Sequence, residues 1–156
     1  MLQEYFNGKG KIYSVTIMQF TMTTDYALRI VTYLSQKGDV VTTSQLSNEL
    51  QIPMNYIPKI IKNLKNKKII YAIEGVKGGY RLAKKPKSIT LLDVILATET
   101  TMSFNKCLET NGTCSKNCQD SCAIRKILES LQNDMIHQLE KVTFSDLINK
   151  EFRDNI

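Results

Sequence analysis

Four cysteines in one short polar stretch are the residues of this chain best suited to chemistry. Cys107, Cys114, Cys118 and Cys122 lie within residues 105–122, with six, three and three residues between them. Thiolates bind zinc, iron and iron–sulfur clusters, and pairs of them form disulfides when oxidised. The Asn, Thr, Ser and Gly residues around them predict a loop. We therefore expect a cysteine-rich loop that binds a ligand or senses oxidation.

The residues alone leave three uses of these thiols open. A structural zinc site usually contains C-x2-C pairs, and this spacing has none. Bare thiols would sense oxidation by forming a disulfide, with Cys118 as the resolving partner. Ligation of an iron–sulfur cluster is the third use, and spacing alone does not distinguish a 4Fe–4S from a 2Fe–2S cluster.

Catalysis has little support in the sequence. A cysteine nucleophile needs a neighbouring base, and His137 is the chain's one histidine. The glycine-rich segment at residues 75–79 lacks nucleotide-binding spacing, and no helix begins directly after it. We predict that the protein is not an enzyme and has no catalytic residues.

Long apolar runs and a signal-peptide pattern are missing from the sequence, so we expect a cytoplasmic protein with no membrane partner. In that reducing compartment, clustered cysteines are seldom structural disulfides. The formal net charge is +6, and residues 54–87 carry ten Lys or Arg against one acidic residue, Glu74. Such a block is either a solvated basic face or the electrostatic footprint of a nucleic-acid-binding surface.

Three helices are predicted between residue 23 and the middle of this basic block. An amphipathic helix from residue 23 ends at Gly38, and Thr42 with Gln45 forms a capping box for a second helix. A third helix, from Asn55 to about Lys67, has an aliphatic face and a polar, basic face. Two short helices of this kind predict a helix-turn-helix, whose second helix enters the major groove of DNA.

A β-hairpin is predicted directly after the helix-turn-helix. Residues 69–73 and 80–83 are rich in strand formers, and the turn at 74–79 contains three glycines. In that position a hairpin is the wing of a winged helix, with Lys77 placed to enter a minor groove. Thr90 and Asp93 then cap a short helix that ends near Glu99.

From Ala123 an apolar stripe at helical spacing predicts a helix of roughly twenty residues, about 30 Å long. So small a domain cannot cover it, which favours burial of the stripe against a second copy of the chain. A short terminal helix follows within residues 143–148.

The fold class is therefore mainly α with a small β-hairpin, a winged helix-turn-helix with a long C-terminal dimerisation helix. The expected organisation is a flexible extension at 1–17, the DNA-binding domain at 18–104, the cysteine loop at 105–122, the dimerisation and terminal helices at 123–149, and a tail at 150–156.

Four segments together resemble the Rrf-type family of bacterial winged-helix regulators, which includes IscR, NsrR and CymR. They are TTDYALRIVTYL, IPMNYIPKIIKNLKNKKII, EGVKGGYRLAKKP and the cysteine loop before a long helix. The resemblance covers nearly all of residues 18–149, so Met18 or Met22 is a candidate start. It implies a homodimer that binds a palindromic promoter site and represses transcription. By analogy, the DNA-contacting residues are Ser44, Asn55, Tyr56, Lys59, Lys62, Gly75, Val76, Lys77, Gly78 and Gly79.

The same resemblance implies a ligand set for an iron–sulfur cluster that senses nitric oxide, oxidation or cluster status. Cys107, Cys114 and Cys122 match the three ligand cysteines of the family's sensing members, and Cys118 is extra or an alternate ligand. In IscR-like members a histidine completes the set, but Arg125 stands at that position. In NsrR-like members the fourth ligand is an aspartate from the first helix of the other subunit, which here is Asp25. The ligand pattern therefore resembles NsrR most, while CymR-like members are cluster-free and act through a protein partner.

Overall fold

The computed structural model describes residues 19–149 and, before them, only the backbone of residues 3–6 and 12–15. Its described elements are β1 (Gln3–Phe6), β2 (Ile12–Val15), α1 (Met22–Lys37), α2 (Thr43–Leu50), α3 (Ile57–Asn66), β3 (Ile70–Ile73), β4 (Gly79–Leu82), α4 (Leu91–Thr98), α5 (Ala123–Lys141) and α6 (Phe144–Ile148). The predicted class, mainly α with a small hairpin, is confirmed. The predicted tail at 150–156 lies outside the described residues.

Helix boundaries follow the capping residues that the sequence contains. The Thr21 hydroxyl accepts a hydrogen bond from the Thr24 N–H at the start of α1, and Gly38 ends that helix in the left-handed conformation at φ 66°. Reciprocal capping boxes join Thr42 to Gln45 in α2 and Thr90 to Asp93 in α4. These contacts satisfy backbone N–H groups that a first helical turn leaves unpaired. The predictions at Gly38, Thr42 and Thr90 are confirmed, whereas α3 begins two residues later than expected because Asn55 belongs to the preceding turn.

The hydrophobic core is formed around α1, which packs against α4, α6 and α3. Its buried side chains come from every helix except α5, and the aliphatic face of α3 contributes four of them: Ile57, Ile60, Ile61 and Leu64. Phe144, the first residue of α6, is also fully buried. The end of the described chain therefore returns to complete the core of the winged helix.

Strands β3 and β4 form the wing, with Ile70 opposite Leu82 and Ile73 opposite Gly79. A further bridge joins Val41, just before α2, to Tyr80 through two backbone hydrogen bonds of 3.0 and 2.8 Å. A Cβ atom at Gly79 would overlap the Val41 carbonyl, so the close approach of the two chain segments requires glycine there. The wing is thereby fixed to the start of the helix-turn-helix.

Helix α5 is attached to the domain mainly at its C-terminal end. The Leu91 N–H donates to the Val142 carbonyl at 2.9 Å, and the Phe144 N–H donates to the Ile89 carbonyl at 3.0 Å. Its apolar stripe is largely exposed, with 68% of Ile124, 61% of Ile127 and 51% of Leu131 accessible to solvent. The described chain alone leaves the stripe uncovered.

Strands β1 and β2 pair antiparallel, with Gln3 opposite Val15 and Phe6 opposite Ile12. The sequence did not predict them, because two four-residue runs are too short to show a period. Their side chains, and the residues between and beside the strands, lie outside the described part of the chain. The assignment of residues 1–17 as a flexible extension stays a prediction.

Candidate nucleic-acid interface and cysteine loop

The outer face of α3 is polar and basic. Lys59, Lys62 and Lys65 are exposed on the side opposite the four buried aliphatic residues. Pro58 occupies the first turn, where its missing N–H costs no helical hydrogen bond. Exposed ammonium groups on a helix that projects from a rigid core are suited to contact phosphates, and the neighbouring amides are suited to base edges.

Two grooves connect this helix face to the wing and to α2. The first, of about 330 Å³, lies between α3 and the wing and is lined by Pro58, Ile61, Lys62, Lys65, Asn66, Ala72 and Tyr80. The second, of about 340 Å³, lies between the start of α2 and the wing and is lined by Thr42, Thr43, Ser44, Ala72, Ile73, Gly75, Gly78, Gly79 and Tyr80. The structure thus brings Ser44 next to three of the predicted wing glycines, and Lys62 next to Ala72 and Tyr80 of the wing. Val76 and Lys77 are exposed at the wing tip.

The grooves also include residues that the sequence-based set of DNA contacts left out. Thr43 opens α2 beside the wing, and its hydroxyl lies 3.5 Å from the Tyr80 hydroxyl. Lys65 and Asn66 line the groove between α3 and the wing. Both belong to the polar, basic face that the sequence predicts for this helix, since residues three and four apart share a helix face with Lys62.

Asp25 lies in the first turn of α1 and is joined to the start of α3 by three successive contacts. Its carboxylate is 2.7 Å from Arg29, and 43% of the Asp25 side chain is exposed. The Arg29 guanidinium lies 5.7 Å from the centre of the Tyr26 ring, and that ring meets the Tyr56 ring edge-on at 5.7 Å. Tyr56 is the residue immediately before α3. Asp25 and the predicted DNA-contacting Tyr56 are therefore parts of one contact chain.

A second polar network holds the beginning of α1 to the end of α4. The Thr21 N–H donates to the Glu99 carboxylate at 2.8 Å, and the buried Thr24 hydroxyl contacts both Glu99 and Thr98. Burial raises the pKa of Glu99, but the hydrogen bonds from Thr24 and Thr21 outweigh it and hold the pKa below its usual value. Sequence reasoning missed this network because Thr24 and Glu99 are 75 residues apart in the chain.

The cysteine loop follows α4 and contains two short 3-10 turns, Lys106–Leu108 and Gln119–Ser121. All four thiols are free and partly exposed. The Cys114 and Cys118 sulfur atoms are 3.9 Å apart. Within the described residues, no three or more His, Cys, Asp or Glu side chains converge as a metal site would require. The structure therefore brings Cys114 and Cys118 together, with Cys122 near enough to Cys118 to affect its pKa, and it does not group Cys107 or Asp25 with them.

Hydrogen bonding makes the paired thiols unequal. Backbone N–H groups of Cys118 and Lys116 are the main causes that lower the pKa of the Cys114 thiol. The hydrogen bond to Cys114 raises the pKa of the Cys118 thiol, with smaller contributions from burial and from Cys122. Cys114 is thus the sulfur that the loop prepares to carry negative charge, since donors that point at a thiolate stabilise it.

Cys107 is held by its own surroundings. A Cβ atom at Gly112 would overlap the Lys106 carbonyl, so the loop folds tightly back on the turn that bears Cys107. Arg125 of α5 donates from Nε to the Cys107 carbonyl at 3.4 Å, and the Gln132 side chain accepts from the Phe104 N–H at 3.0 Å. Arg125 stands at the position that a histidine ligand occupies in IscR-like members. In this chain its side chain holds the backbone of the loop instead.

The donor chemistry of this loop fits an iron–sulfur cluster. Accessible thiols in a polar loop, one of them with a lowered pKa, are suitable ligands for iron. The carboxylate of Asp25 is a harder donor that is partly exposed and already used by Arg29. In the described chain the thiols must still move toward each other before three of them could share one group.

A helix-turn-helix with a basic outer face, an attached wing and a separate long helix define a winged-helix DNA-binding regulator. A sequence model of the Rrf2 family, described as iron-dependent transcriptional regulators, matches residues 20–150. The chain belongs to the Rrf2 family of transcriptional regulators.

Named relatives are consistent with this family. The chain is 33% identical to the transcriptional regulator NsrR of Shouchella clausii over 138 residues, which cover 86% of this chain and 91% of that protein. It is 29% identical over 135 residues to a putative helix-turn-helix regulator of Aquifex aeolicus, covering 86% and 94% of the two chains.

Solved structures support the fold. CymR, described as the global cysteine regulator of B. subtilis, superposes with a TM-score of 0.70 at 22% identity, covering 84% of this chain and 96% of that one. The IscR protein of T. potens superposes with a TM-score of 0.68 at 17% identity, covering 89% and 92%. Helices long and apolar enough to cross a membrane are not found among the described residues.

Proposed function

We propose that this regulator binds a palindromic operator as a homodimer and represses transcription from it. Exposed Lys59 and Lys62 on α3 supply phosphate and base-edge contacts, and the wing tip at Val76 and Lys77 enters the neighbouring minor groove. Asn55 and Tyr56, in the turn before α3, contact the major groove together with Ser44 of α2. Two copies related by a twofold axis would read two half-sites about one helical turn apart.

The dimer contact of this proposal is the apolar stripe of α5. Ile124, Ile127 and Leu131 are more than half exposed, although side chains of this kind gain free energy when they leave water. An isologous contact between two copies of the stripe would bury it in both subunits at once. The cysteine loop, which immediately precedes α5, would then lie close to the partner subunit.

An iron–sulfur cluster, held by Cys107, Cys114 and Cys122 with Asp25 of the partner subunit, controls DNA binding in this proposal. When bound, the cluster supplies iron that reacts with nitric oxide or oxygen, and a carboxylate is a more exchangeable ligand than a thiolate. Cys118 is the alternate ligand. The NsrR name of a relative at 33% identity supports this assignment.

One observation carries the regulatory part of the proposal, the contact chain from Asp25 through Arg29 and Tyr26 to Tyr56. If Asp25 is drawn to the partner's loop, Arg29 loses its carboxylate and is free to leave the Tyr26 ring. The Tyr26 ring supports Tyr56, which begins the recognition helix. Cluster gain or loss would therefore bias the position of α3 between two arrangements that differ in DNA affinity.

The direct test is anaerobic purification of the full chain, followed by an absorption spectrum and by iron and sulfide counts. We expect a coloured protein whose affinity for its promoter fragment falls after exposure to nitric oxide. A colourless, iron-free protein that binds the fragment at full strength would contradict the cluster assignment and leave the DNA-binding assignment intact.

Asp25→Ala tests the fourth ligand, with Asp39→Ala as the matched control. Asp39 is exposed just beyond the other end of α1, and its carboxylate accepts a local hydrogen bond from the Val40 N–H. We expect Asp25→Ala to lower cluster content and to weaken the nitric oxide response, and Asp39→Ala to change neither. Equal behaviour of the two variants would exclude Asp25 as a ligand.

A second candidate function is favoured by the 3.9 Å separation of the Cys114 and Cys118 sulfur atoms. A peroxide could oxidise the two thiols to a disulfide, taking up two electrons and two protons and leaving as two molecules of water or of water and alcohol. The regulator would then be cluster-free and would respond to the thiol redox state. The structural likeness to CymR suits this reading as well as it suits the cluster.

Cys118→Ser separates the two candidates. The cluster proposal expects that this variant keeps its iron and its nitric oxide response, because Cys107, Cys114 and Cys122 remain. The redox candidate expects loss of the disulfide by mass spectrometry and loss of the peroxide response. For the matched variant Cys107→Ser, the cluster proposal expects loss of iron and of the nitric oxide response. The redox candidate expects that this variant keeps the disulfide and the peroxide response.

A further inference from the structure

A cavity of about 370 Å³ lies at the base of the wing, and the DNA-binding proposal does not use it. It is lined by Leu34, Ser35, Gly38, Tyr71, Arg81, Leu82, Ala83, Lys84, Lys85 and Pro86. The volume is within the range of about 300–1,000 Å³ typical of small-molecule sites. The cavity is therefore large enough for a compact metabolite.

The cavity faces away from the recognition helix. Tyr71 pairs with Arg81 across the wing, and the adjacent pair is Ala72 with Tyr80. Neighbouring residues of a strand point to opposite faces of a sheet, so these two pairs lie on different faces. Ala72 and Tyr80 line the groove shared with α3, whereas Tyr71 and Arg81 line the cavity. A DNA duplex held by α3 would thus occupy the opposite face of the wing.

The charge of the lining is all of one sign. Arg81, Lys84 and Lys85 line the cavity, and none of the described residues around it is acidic. The ion pairs found in the described part of the chain are Arg29 with Asp25 and Arg125 with Glu129, so these three cations have no carboxylate partner there. Three uncompensated positive charges around a concavity concentrate anions.

One local feature opposes anion binding. The end of α1 lines the cavity at Leu34 and Gly38, and a helix C-terminus carries about half a negative charge. The Gly38 N–H donates to the Leu34 carbonyl, and Lys37 stands in the last turn of α1, so this charge is partly offset. Three full positive charges exceed the remainder, and the cavity keeps a net preference for anions.

We infer that this cavity binds a small polyvalent anion that carries phosphate or carboxylate groups. Arg81 supplies a planar, bidentate donor for such a group, and Lys84 and Lys85 supply two further charges. The partly exposed Leu82 and Pro86 offer an apolar surface for the carbon part of the ligand. Because the site joins the end of α1 to a wing strand, an occupant would contact both elements of the DNA-binding domain.

The test is equilibrium dialysis of the full chain at low salt with two probes, pyrophosphate and citrate. The double variant Arg81→Gln/Lys85→Gln is compared with Lys126→Gln/Lys141→Gln, which removes the same charge from α5. All four side chains are exposed, so thermal unfolding should be nearly unchanged in both variants. We expect the wild type to bind at least one probe saturably. In the cavity variant this binding should weaken about tenfold or more, because charge-assisted hydrogen bonds dominate the affinity for a small anion. In the α5 variant the affinity should change little. Failure of both probes to bind, or equal binding by both variants, would overturn the inference.

A second arm separates a free anion from DNA phosphate. Affinity for a random-sequence duplex is measured against KCl concentration, without either probe. We expect the same salt slope for the wild type and the cavity variant. If the slope of the cavity variant alone fell by about one for each lost cation, as lost phosphate contacts require, the cavity would be part of the DNA surface and the inference would be wrong.

Discussion

The winged helix and the cysteine loop differ in what holds them in place. The described fully buried side chains belong to the winged helix and to Phe144 of α6, while the loop and α5 contribute none. The loop is held instead by a few polar contacts, such as those from Arg125 and Gln132. One region is stabilised by burial within its own chain, and the other is stabilised by a small number of hydrogen bonds.

This difference indicates how the two regions divide the work. A DNA-binding domain needs a rigid surface. A close-packed core supplies that rigidity because its side chains have few alternative conformations. The sensing role proposed for the loop requires at least two arrangements of similar free energy, and a loop with few buried apolar contacts can adopt them. The comparison predicts that core changes will lower global stability, and that loop changes will act on the thiols alone.

The largest effect is expected in the core. Leu34→Ala removes a side chain that is 1% exposed between α1 and the wing, and it should lower the free energy of unfolding by about 2–5 kcal/mol. Ile127→Ala, on the exposed stripe of α5, should change the unfolding of the subunit much less and weaken self-association. Urea denaturation and sedimentation measure the two effects. Equal destabilisation of the subunit by the two variants would contradict the claim that burial within the chain stabilises the winged helix but not α5.

A change in the loop should be smaller and local. Gly112→Ala places a methyl group against the Lys106 carbonyl and displaces the turn that bears Cys107. If that turn presents a cluster ligand, iron retention should weaken about tenfold, the lower end of the effect of disturbing residues that orient ligands. The melting temperature of the winged helix should stay nearly constant.

Thr113→Ala is the control for Gly112→Ala, because Thr113 is exposed in the same loop. Iron counts after anaerobic purification, together with the rate of Cys107 alkylation, give the readout. A Gly112→Ala protein with wild-type iron content and wild-type alkylation would show that the turn does not position Cys107.

The smallest effect is expected at Glu99, where the two regions join. Burial raises the pKa of Glu99, but the stronger combined effect of Thr24 and Thr21 leaves it below the ordinary value of 4.5. A carboxyl group with a lowered pKa stabilises the fold above that ordinary value, and the contribution is lost as the pH falls through the folded-state pKa. Glu99→Gln should cost about 0.5–1.5 kcal/mol at neutral pH, the net value of a hydrogen bond, and the difference from wild type should shrink below pH 4.5.

Glu49→Gln is the matched control for this change, because Glu49 is exposed on α2 and outside the network. Unfolding free energies measured from pH 7 down to pH 3 give both curves. A constant difference in unfolding free energy between Glu99→Gln and wild type over that range would mean that Thr21 and Thr24 do not stabilise the ionised form of Glu99.

The fold was largely readable from the sequence because its signals are local. Thr42 with Gln45, and Thr90 with Asp93, cap helices through residues three positions apart, and Gly38 ends α1 by its own backbone conformation. The strand pair at Gln3–Phe6 and Ile12–Val15 was not readable, since each run is too short to show alternation. The delayed start of α3 depended on a turn closed by the Tyr56 N–H and the Pro53 carbonyl.

The candidate sites were readable only in part. Spacing marked the four cysteines, but it gave no sign that Cys114 and Cys118 approach each other while Cys107 is held by Gly112 and Arg125. The contact between Tyr26 and Tyr56 joins α1 to the turn before α3, and the Glu99 network joins the start of α1 to the end of α4. Contacts of this kind arise from tertiary packing, which short sequence patterns do not encode.

The attachment of α5 to the winged helix mainly at its C-terminal end has a mechanical consequence. Its C-terminal end is fixed through Val142 and Phe144, whereas the loop with the thiols precedes its N-terminal end. The helix contains 19 residues and is about 28 Å long at 1.5 Å per residue. It therefore behaves as a lever arm, in which a tilt of about 10° at the fixed end displaces the far end by roughly 5 Å over that length. A modest rotation between two such arms would be enough to bring a thiol loop toward a neighbouring subunit or to carry it out of reach.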